Sequence, residues 1–361
     1  MKIAWLHGNM NVSLDKPLVW LCLGVRGSGK STFLEHVALQ HLQHGNTILD
    51  LFGARSGEGL AWLRSPEVKG KHILLLTDEG CIIEVNSSLD LSIKPYTKLQ
   101  LKDFEDFDLI INSSPLYRTL DSEFTACNHV IDLLWNRLHW RRLIYVIIRE
   151  AANLIYSRVK VSENQLEAKS FLIYWLRESR HVGCSLGLDS QRFMALDTDV
   201  RSQVDFLVLK AQGLFGLPRD MWHVYRWIKP GWLQYAKPHE FAIVSRQGDI
   251  GVGTFPFHEW HKREGEDILQ VAGIKVQFEE RPEEGADRGR YKTVGDEEHA
   301  RIISLYTEEG KSMESIGKQL GRSAKTVYDH IHEHNNDVER LGYCPKCRRA
   351  SSPLAEVKTT R

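Results

Sequence analysis

Residues 24–31 read Gly-Val-Arg-Gly-Ser-Gly-Lys-Ser, which is the spacing G-x-x-x-x-G-K-[ST]. Glycines at these places let the backbone turn tightly, so that successive N–H groups converge on an anion at the start of a helix. The chemistry is the binding of a nucleoside triphosphate. Gly24, Arg26, Gly27, Ser28, Gly29, Lys30, Ser31 and Thr32 are the expected ATP cradle. Lys30 would reach the β- and γ-phosphates, and the Ser31 hydroxyl would hold Mg²⁺. Such a loop needs a strand before it and a helix after it. The run Leu18-Val19-Trp20-Leu21-Cys22-Leu23 and the spacing of Phe33, Leu34, Val37, Ala38 and Leu42 supply both.

Hydrolysis needs an acid on a neighbouring strand. The apolar run at 143–148 ends in Arg149-Glu150-Ala151-Ala152-Asn153-Leu154, and Glu150 is placed to polarise an attacking water. A later run ends in Gly187-Leu188-Asp189-Ser190-Gln191-Arg192.

The P-loop, the Glu-Ala-x-Asn-Leu stretch and the Ser-Gln-Arg strand end, in this order, resemble the HerA/FtsK superfamily of DNA-pumping ATPases over about residues 15–260. The resemblance implies that Gln191 senses the γ-phosphate. Leu176-Arg177-Glu178-Ser179-Arg180-His181-Val182-Gly183 is similar to the arginine-rich helix end of that family. Enzymes of this class complete the site with an arginine from the next subunit, and such an arginine can raise the rate by ~10³–10⁵. Arg180, Arg192 and Arg201 are candidates, with Arg180 favoured by its match. The resemblance also implies a homo-oligomer, a hexameric ring being one form. One departure matters. The family carries Asp before the Glu, to hold Mg²⁺, and this chain carries Arg149. Arg149 either points outward into a neighbouring subunit or DNA, or another acid such as Asp50 or Asp189 substitutes, or the chain binds nucleotide and hydrolyses it poorly.

These residues must be positioned by a sheet. Candidate strands at 17–23, 47–52, 72–77, 108–112, 143–148, 184–189 and 205–210 alternate with helical patterns at 30–43, 121–138 and 163–181. The last opens with the capping-box spacing of Ser162 and Gln165 and ends near Gly183. The expectation is an α/β domain of the P-loop NTPase (RecA-like/ASCE) kind, a mostly parallel sheet flanked by helices, over residues 1–262. Within it, residues 216–260 are aromatic and basic, which suits either the sheet edge or stacking on bases. A hairpin is expected around Arg246-Gln247-Gly248-Asp249. Residues 263–295, rich in Glu, Arg, Gly and Pro towards their end, are expected to be a linker.

Residues 296–336 read as helix, short helix, turn at Gly321 and helix, with Ser312 and Ser323 as caps. This resembles the helix-turn-helix of resolvases and of sigma-factor region 4. Arg322, Ser323, Lys325, Thr326 and Tyr328 would then face double-stranded DNA. A three-helix protein-interaction module would share the shape. In the tail, 337–361, Cys344-Pro345-Lys346-Cys347 is half of a zinc ribbon by spacing. A Zn²⁺ site needs four ligands. His330 and His334 would complete it, but they lie on the expected recognition helix. Pairing of two such knuckles between subunits and two free thiols are the alternatives.

The chain has 361 residues, zero formal net charge and six cysteines. Any nucleic-acid surface must therefore be a local patch. The scattered cysteines, with no apolar run long enough to span a bilayer, give the expectation of a cytoplasmic protein without membrane insertion. The function expected is an ATP-hydrolysing DNA translocase in mobilisation, conjugation or viral genome packaging. The rival is a nucleotide-gated DNA-binding regulator or partition factor with weak hydrolysis, which Arg149 favours.

Overall fold

The computed structural model describes residues 2–10, 12–53, 57–86, 88–137, 140–155, 163–217, 219–261, 273–279 and 294–350. The chain divides into two compact units, Met1–Glu280 and Arg281–Arg361.

Among the described residues, the first unit carries thirteen strands: β1 (Lys2–His7), β2 (Val19–Leu23), β3 (Thr47–Phe52), β4 (Ile73–Thr77), β5 (Cys81–Val85), β6 (Leu91–Pro95), β7 (Leu109–Asn112), β8 (Ile144–Ile148), β9 (Cys184–Ser190), β10 (Phe206–Leu209), β11 (Glu240–Ser245), β12 (Ile250–Thr254) and β13 (Ile274–Phe278). Eleven form one sheet in the order β1-β12-β11-β10-β2-β9-β8-β3-β7-β4-β6. From β10 to β6 every pairing is parallel, and β11, β12 and β1 extend the sheet antiparallel. All the strands read from the sequence are present. β1, β5 and β6, which are less apolar, were not expected. The anticipated hairpin is β11–β12.

β2, β3, β8 and β9 are buried at every position. Helices cover both faces of a parallel sheet, so such strands are apolar throughout rather than alternating. Their side chains still divide by parity. Leu21, Leu23, Leu49, Leu51, Val146 and Ile148 enter one core, and Trp20, Cys22, Ile48, Tyr145 and Ile147 the other. The helix Lys30–Gln43 lies on the second face through Phe33, Leu34, Val37 and Ala38. The helices Leu120–Trp135 and Glu163–Glu178 cover the first through residues such as Phe124, Val130, Leu172 and Trp175. The capping residue Ser162 lies outside the described residues.

β8 and β9 are inserted between β2 and β3, although the chain runs from β2 directly to β3. This crossover places the ends of three strands, β2, β9 and β8, side by side.

Two expectations need correction. Residues 263–295 are not wholly a linker, because β13 pairs antiparallel with β5 in a two-stranded sheet. Its alternating Ile274, Val276 and Phe278 bury one face, a pattern hidden by its charged neighbours. The aromatic stretch is not uniform either. Met221, Val224 and Ile228 are core, whereas Trp222 is 56% and Trp227 44% exposed.

Among the described residues, the second unit holds three helices, Asp296–Thr307, Met313–Leu320 and Ala324–Leu341, around Ile302, Ile303, Leu305, Ile316, Val327 and Ile331. Ser312 accepts from Ser315 N and Ser323 from Thr326 N, as the capping pattern predicts. The third helix runs past residue 336 and stops at Gly342, whose φ of 78° suits glycine.

Candidate nucleotide site

β2 ends at Leu23 and the loop enters the helix at Lys30. Gly29 has φ 83°, and a Cβ there would lie 2.5 Å from the Pro238 carbonyl oxygen. A Cβ on Gly24 would lie 2.5 Å from Ser28 Oγ. Both glycines are thus required by backbone shape and close approach. Lys30 is buried, with Nζ donating to the Val25 carbonyl at 3.3 Å. The buried Ser28 hydroxyl has no hydrogen-bond partner among the described residues. An unpartnered hydroxyl and a lysine folded over its own loop fit an anion cradle.

Ser31 Oγ lies 3.1 Å from Asp189 Oδ2 and 3.2 Å from Glu58 Oε2. The other oxygen of Asp189 accepts from the Glu150 backbone N–H. Burial pushes the Asp189 carboxyl up to about 6; Lys30 opposes this and the Glu150 carboxylate adds to it. Hard oxygen donors around one hydroxyl suit Mg²⁺.

Glu150 follows β8 in a left-handed conformation, φ 45° and ψ 51°. For a non-glycine residue this costs about 1–3 kcal/mol. The turn sets its side chain beside β9, where Glu150 Oε1 accepts from Gln191 Nε2 at 3.1 Å. A P-loop strand next to a polar-ended strand, followed by the strand of the glutamate, decides the architecture. The fold is that of a P-loop NTPase.

Arg149 corrects one sequence expectation. It does not point outward. It is fully buried beneath the P-loop helix, on the face that takes Tyr145 and Ile147. Its Nε meets both oxygens of Asp50 at 3.2 Å, and its Nη1 meets Glu35 Oε1 at 2.7 Å and Glu58 Oε2 at 3.6 Å. These carboxylates hold its pKa well above the ordinary arginine value despite burial. Asp50 also accepts from Trp62 Nε1 at 2.8 Å. Asp50 is therefore committed to Arg149 and Trp62, and of the two acids expected to substitute, only Asp189 reaches Ser31.

Glu35 and Glu58 escaped the sequence reading. Glu58 follows Gly57 after β3 and belongs to no phosphate-site motif. Glu35 sits on a helix face expected to be apolar.

Arg180 donates to Asp205 Oδ1 at 2.6 Å, and Asp205 Oδ2 accepts from Val19 N. Val19 opens β2, so Arg180 lies at the far end of the sheet from its own P-loop. Arg192 is exposed, and Arg201 is held by Thr198 and over the Phe193 ring.

In the second unit, Lys325 and Tyr328 are exposed near the start of the third helix. Arg322 is turned inward, its Nε and Nη2 at 2.8 and 2.7 Å from the two oxygens of Glu298. Cys344 and Cys347 meet His299 and His334. His330 stands behind His299 rather than beside the thiols, at 3.2 Å between Nδ1 atoms.

No family model matches the chain, and no curated protein matches it. Among solved structures it is similar to the genome packaging NTPase B204 from Sulfolobus turreted icosahedral virus 2 in complex with AMP, at 19% identity and TM-score 0.39, over 69% of this chain and 100% of that one. It is also similar to the pCW3 conjugation coupling protein TcpA in its monomer form with ATPγS, at 15% identity and TM-score 0.41, over 74% and 70%. The cytoplasmic domain of the Thermomonospora curvata type VII secretion ATPase EccC is similar at 11% identity and TM-score 0.36, over 68% and 24%. At such identities and TM-scores the site's own geometry carries the functional argument. No helix among the described residues is long and apolar enough to cross a membrane.

Proposed function

We propose that this chain is an ATPase of the HerA/FtsK kind that couples ATP hydrolysis to the movement of double-stranded DNA. The observation that carries the reading is the meeting of Ser31, Asp189, Glu150 and Gln191 at the ends of three adjacent strands. Gly24, Arg26, Gly27, Ser28, Gly29 and Thr32 shape the phosphate cradle, and Lys30 swings from Val25 to the β- and γ-phosphates. Ser31 and Asp189, with Glu58 beside them, would hold Mg²⁺, and the bound ion would supply neutralisation of charge on the phosphate oxygens. Glu150 takes the proton of the attacking water, and Gln191 orients that carboxylate and reports the γ-phosphate.

Arg180 cannot reach its own nucleotide, so its role is in trans, at the site of the next protomer in a ring. Ser323, Lys325, Thr326 and Tyr328 form the DNA-facing surface of a C-terminal helix-turn-helix, while Arg322 holds its first helix through Glu298. The setting is mobilisation, conjugation or genome packaging, in the cytoplasm.

The test is ATP turnover by the full chain with and without double-stranded DNA, for the natural chain, Glu150→Gln and Lys325→Ala. DNA stimulates hydrolysis in the natural chain, Glu150→Gln abolishes it, and Lys325→Ala reduces the salt slope of DNA binding by about 1. Turnover indifferent to DNA sinks the motor and leaves the nucleotide-gated regulator.

A further inference from the structure

The second unit has a small core of six buried apolar side chains. Units of this size commonly need a staple beyond hydrophobic burial. Four side chains with soft or imidazole donors converge at one end of it. His299 comes from the helix Asp296–Thr307 and His334 from the helix Ala324–Leu341. Cys344 and Cys347 come from the turn that follows. Their ligand atoms all lie within 4.8 Å of one another. His299, His334 and Cys344 are buried, with Cys347 partly so.

We propose that His299, His334, Cys344 and Cys347 form a structural Zn²⁺ site that ties the first helix and the C-terminal turn to the third helix.

Two of the inter-ligand distances match a tetrahedral site. Zn–S and Zn–N bonds have lengths of about 2.3 and 2.0–2.1 Å, which puts the N···S edge of a tetrahedron at roughly 3.5 Å. Cys344 Sγ to His299 Nε2 is 3.4 Å, and Cys347 Sγ to His334 Nδ1 is 3.3 Å. The backbone is shaped for the purpose. Arg348 N donates to the Cys344 carbonyl at 2.7 Å, and Cys344 N to the Arg349 carbonyl at 2.8 Å. Arg348 sits at φ 58°, a conformation costly to arginine, and this closes the loop that brings both thiols to one point.

The outer nitrogen of His299 is also provided for. Its Nδ1 faces His330 Nδ1 at 3.2 Å, and a proton donated from His299 Nδ1 to His330 leaves Nε2 free for the metal. Glu333, paired with Lys346 at 2.7 Å, stands 3.5 Å behind His330. Two thiolates and two imidazoles balance the charge of Zn²⁺ and leave no open position, so the site is structural rather than catalytic.

The sequence concealed this site because His299 lies 45 residues before Cys344, at the other end of the module. The histidine pair one turn apart was a distraction. His330 orients, and only His334 ligates.

The test uses the full chain purified under reducing conditions, with bound metal measured by mass spectrometry and the metal-free chain titrated with Co²⁺. One equivalent of zinc is expected, and Co²⁺ should give the visible bands of a tetrahedral thiolate site, bleached by added Zn²⁺. His299→Ala and Cys347→Ser lose those bands, with ATP binding by the first unit retained as the control for folding. His330→Ala keeps them but binds about 10–100-fold more weakly. Zinc-free protein with no cobalt bands overturns the proposal. So does a His330→Ala variant that loses the bands while His299→Ala keeps them, because the ligand set would then be different.

Discussion

Asp189 Oδ2 lies 3.1 Å from Ser31 Oγ, so the strand-end acid beside the P-loop hydroxyl, which Glu58 also approaches, comes from β9 rather than from β8. The two strands are parallel neighbours, with Ile148 opposite Leu188. The residues that follow these two emerge side by side on the same face. Asp189→Asn is expected to weaken the apparent Mg²⁺ affinity for turnover about 10–100-fold. A magnesium titration of ATPase activity reads this directly, and an unchanged half-saturation would contradict it.

Arg149 serves the core. Removing it takes the guanidinium away from the buried Asp50 and Glu35, so Arg149→Met should lose about 3–5 kcal/mol of stability. Arg149→Asp should be worse, since it adds an acid beside Asp50, Glu35 and Glu58. It is not expected to raise turnover. Denaturant unfolding of the two variants, set beside their ATPase rates, decides between a structural arginine and an impaired catalytic position.

Glu150 combines the carboxylate proposed as general base with backbone strain. Glu150→Gln keeps the strain and should cut turnover at least ~10²-fold, the scale of a general base. Glu150→Gly loses turnover as well, but gains stability of the order of 1 kcal/mol because glycine tolerates φ 45°. Equal melting temperatures for the two variants would mean that the turn is not strained.

Glu123 predicts a pH dependence of stability. It is 1% exposed, and burial pushes its carboxyl up to about 7 against the hydrogen bonds from Ser114 and Gly53. The folded state therefore holds a proton that the unfolded state releases near 4.5. Stability from this group is present below about 4.5 and declines as pH rises through about 7, by about 3 kcal/mol in all. Glu123→Gln removes that slope. Unfolding curves at about pH 3.5 and about pH 8 for both proteins, roughly one unit outside each end of that window, would show it.

The phosphate loop, the strands of the parallel sheet and the capped helices of the second unit were legible in the sequence, because each is written locally. Glycine spacing, apolar runs and Ser caps act over a few residues. Glu150 and Gln191 were legible for the same reason, as polar residues where apolar strands stop. The destination of Arg149, the choice of Asp189 over Asp50, the part of Glu58 and the gathering of His299 with the two cysteines were not. Each depends on which strands become neighbours and which face a side chain takes. Those are decided by the insertion of β8 and β9 between β2 and β3 and by the closing of a three-helix unit on itself. A carboxylate beside a hydroxyl, or a thiol beside an imidazole, is a relation between distant parts of the chain, and packing alone brings them within bonding distance.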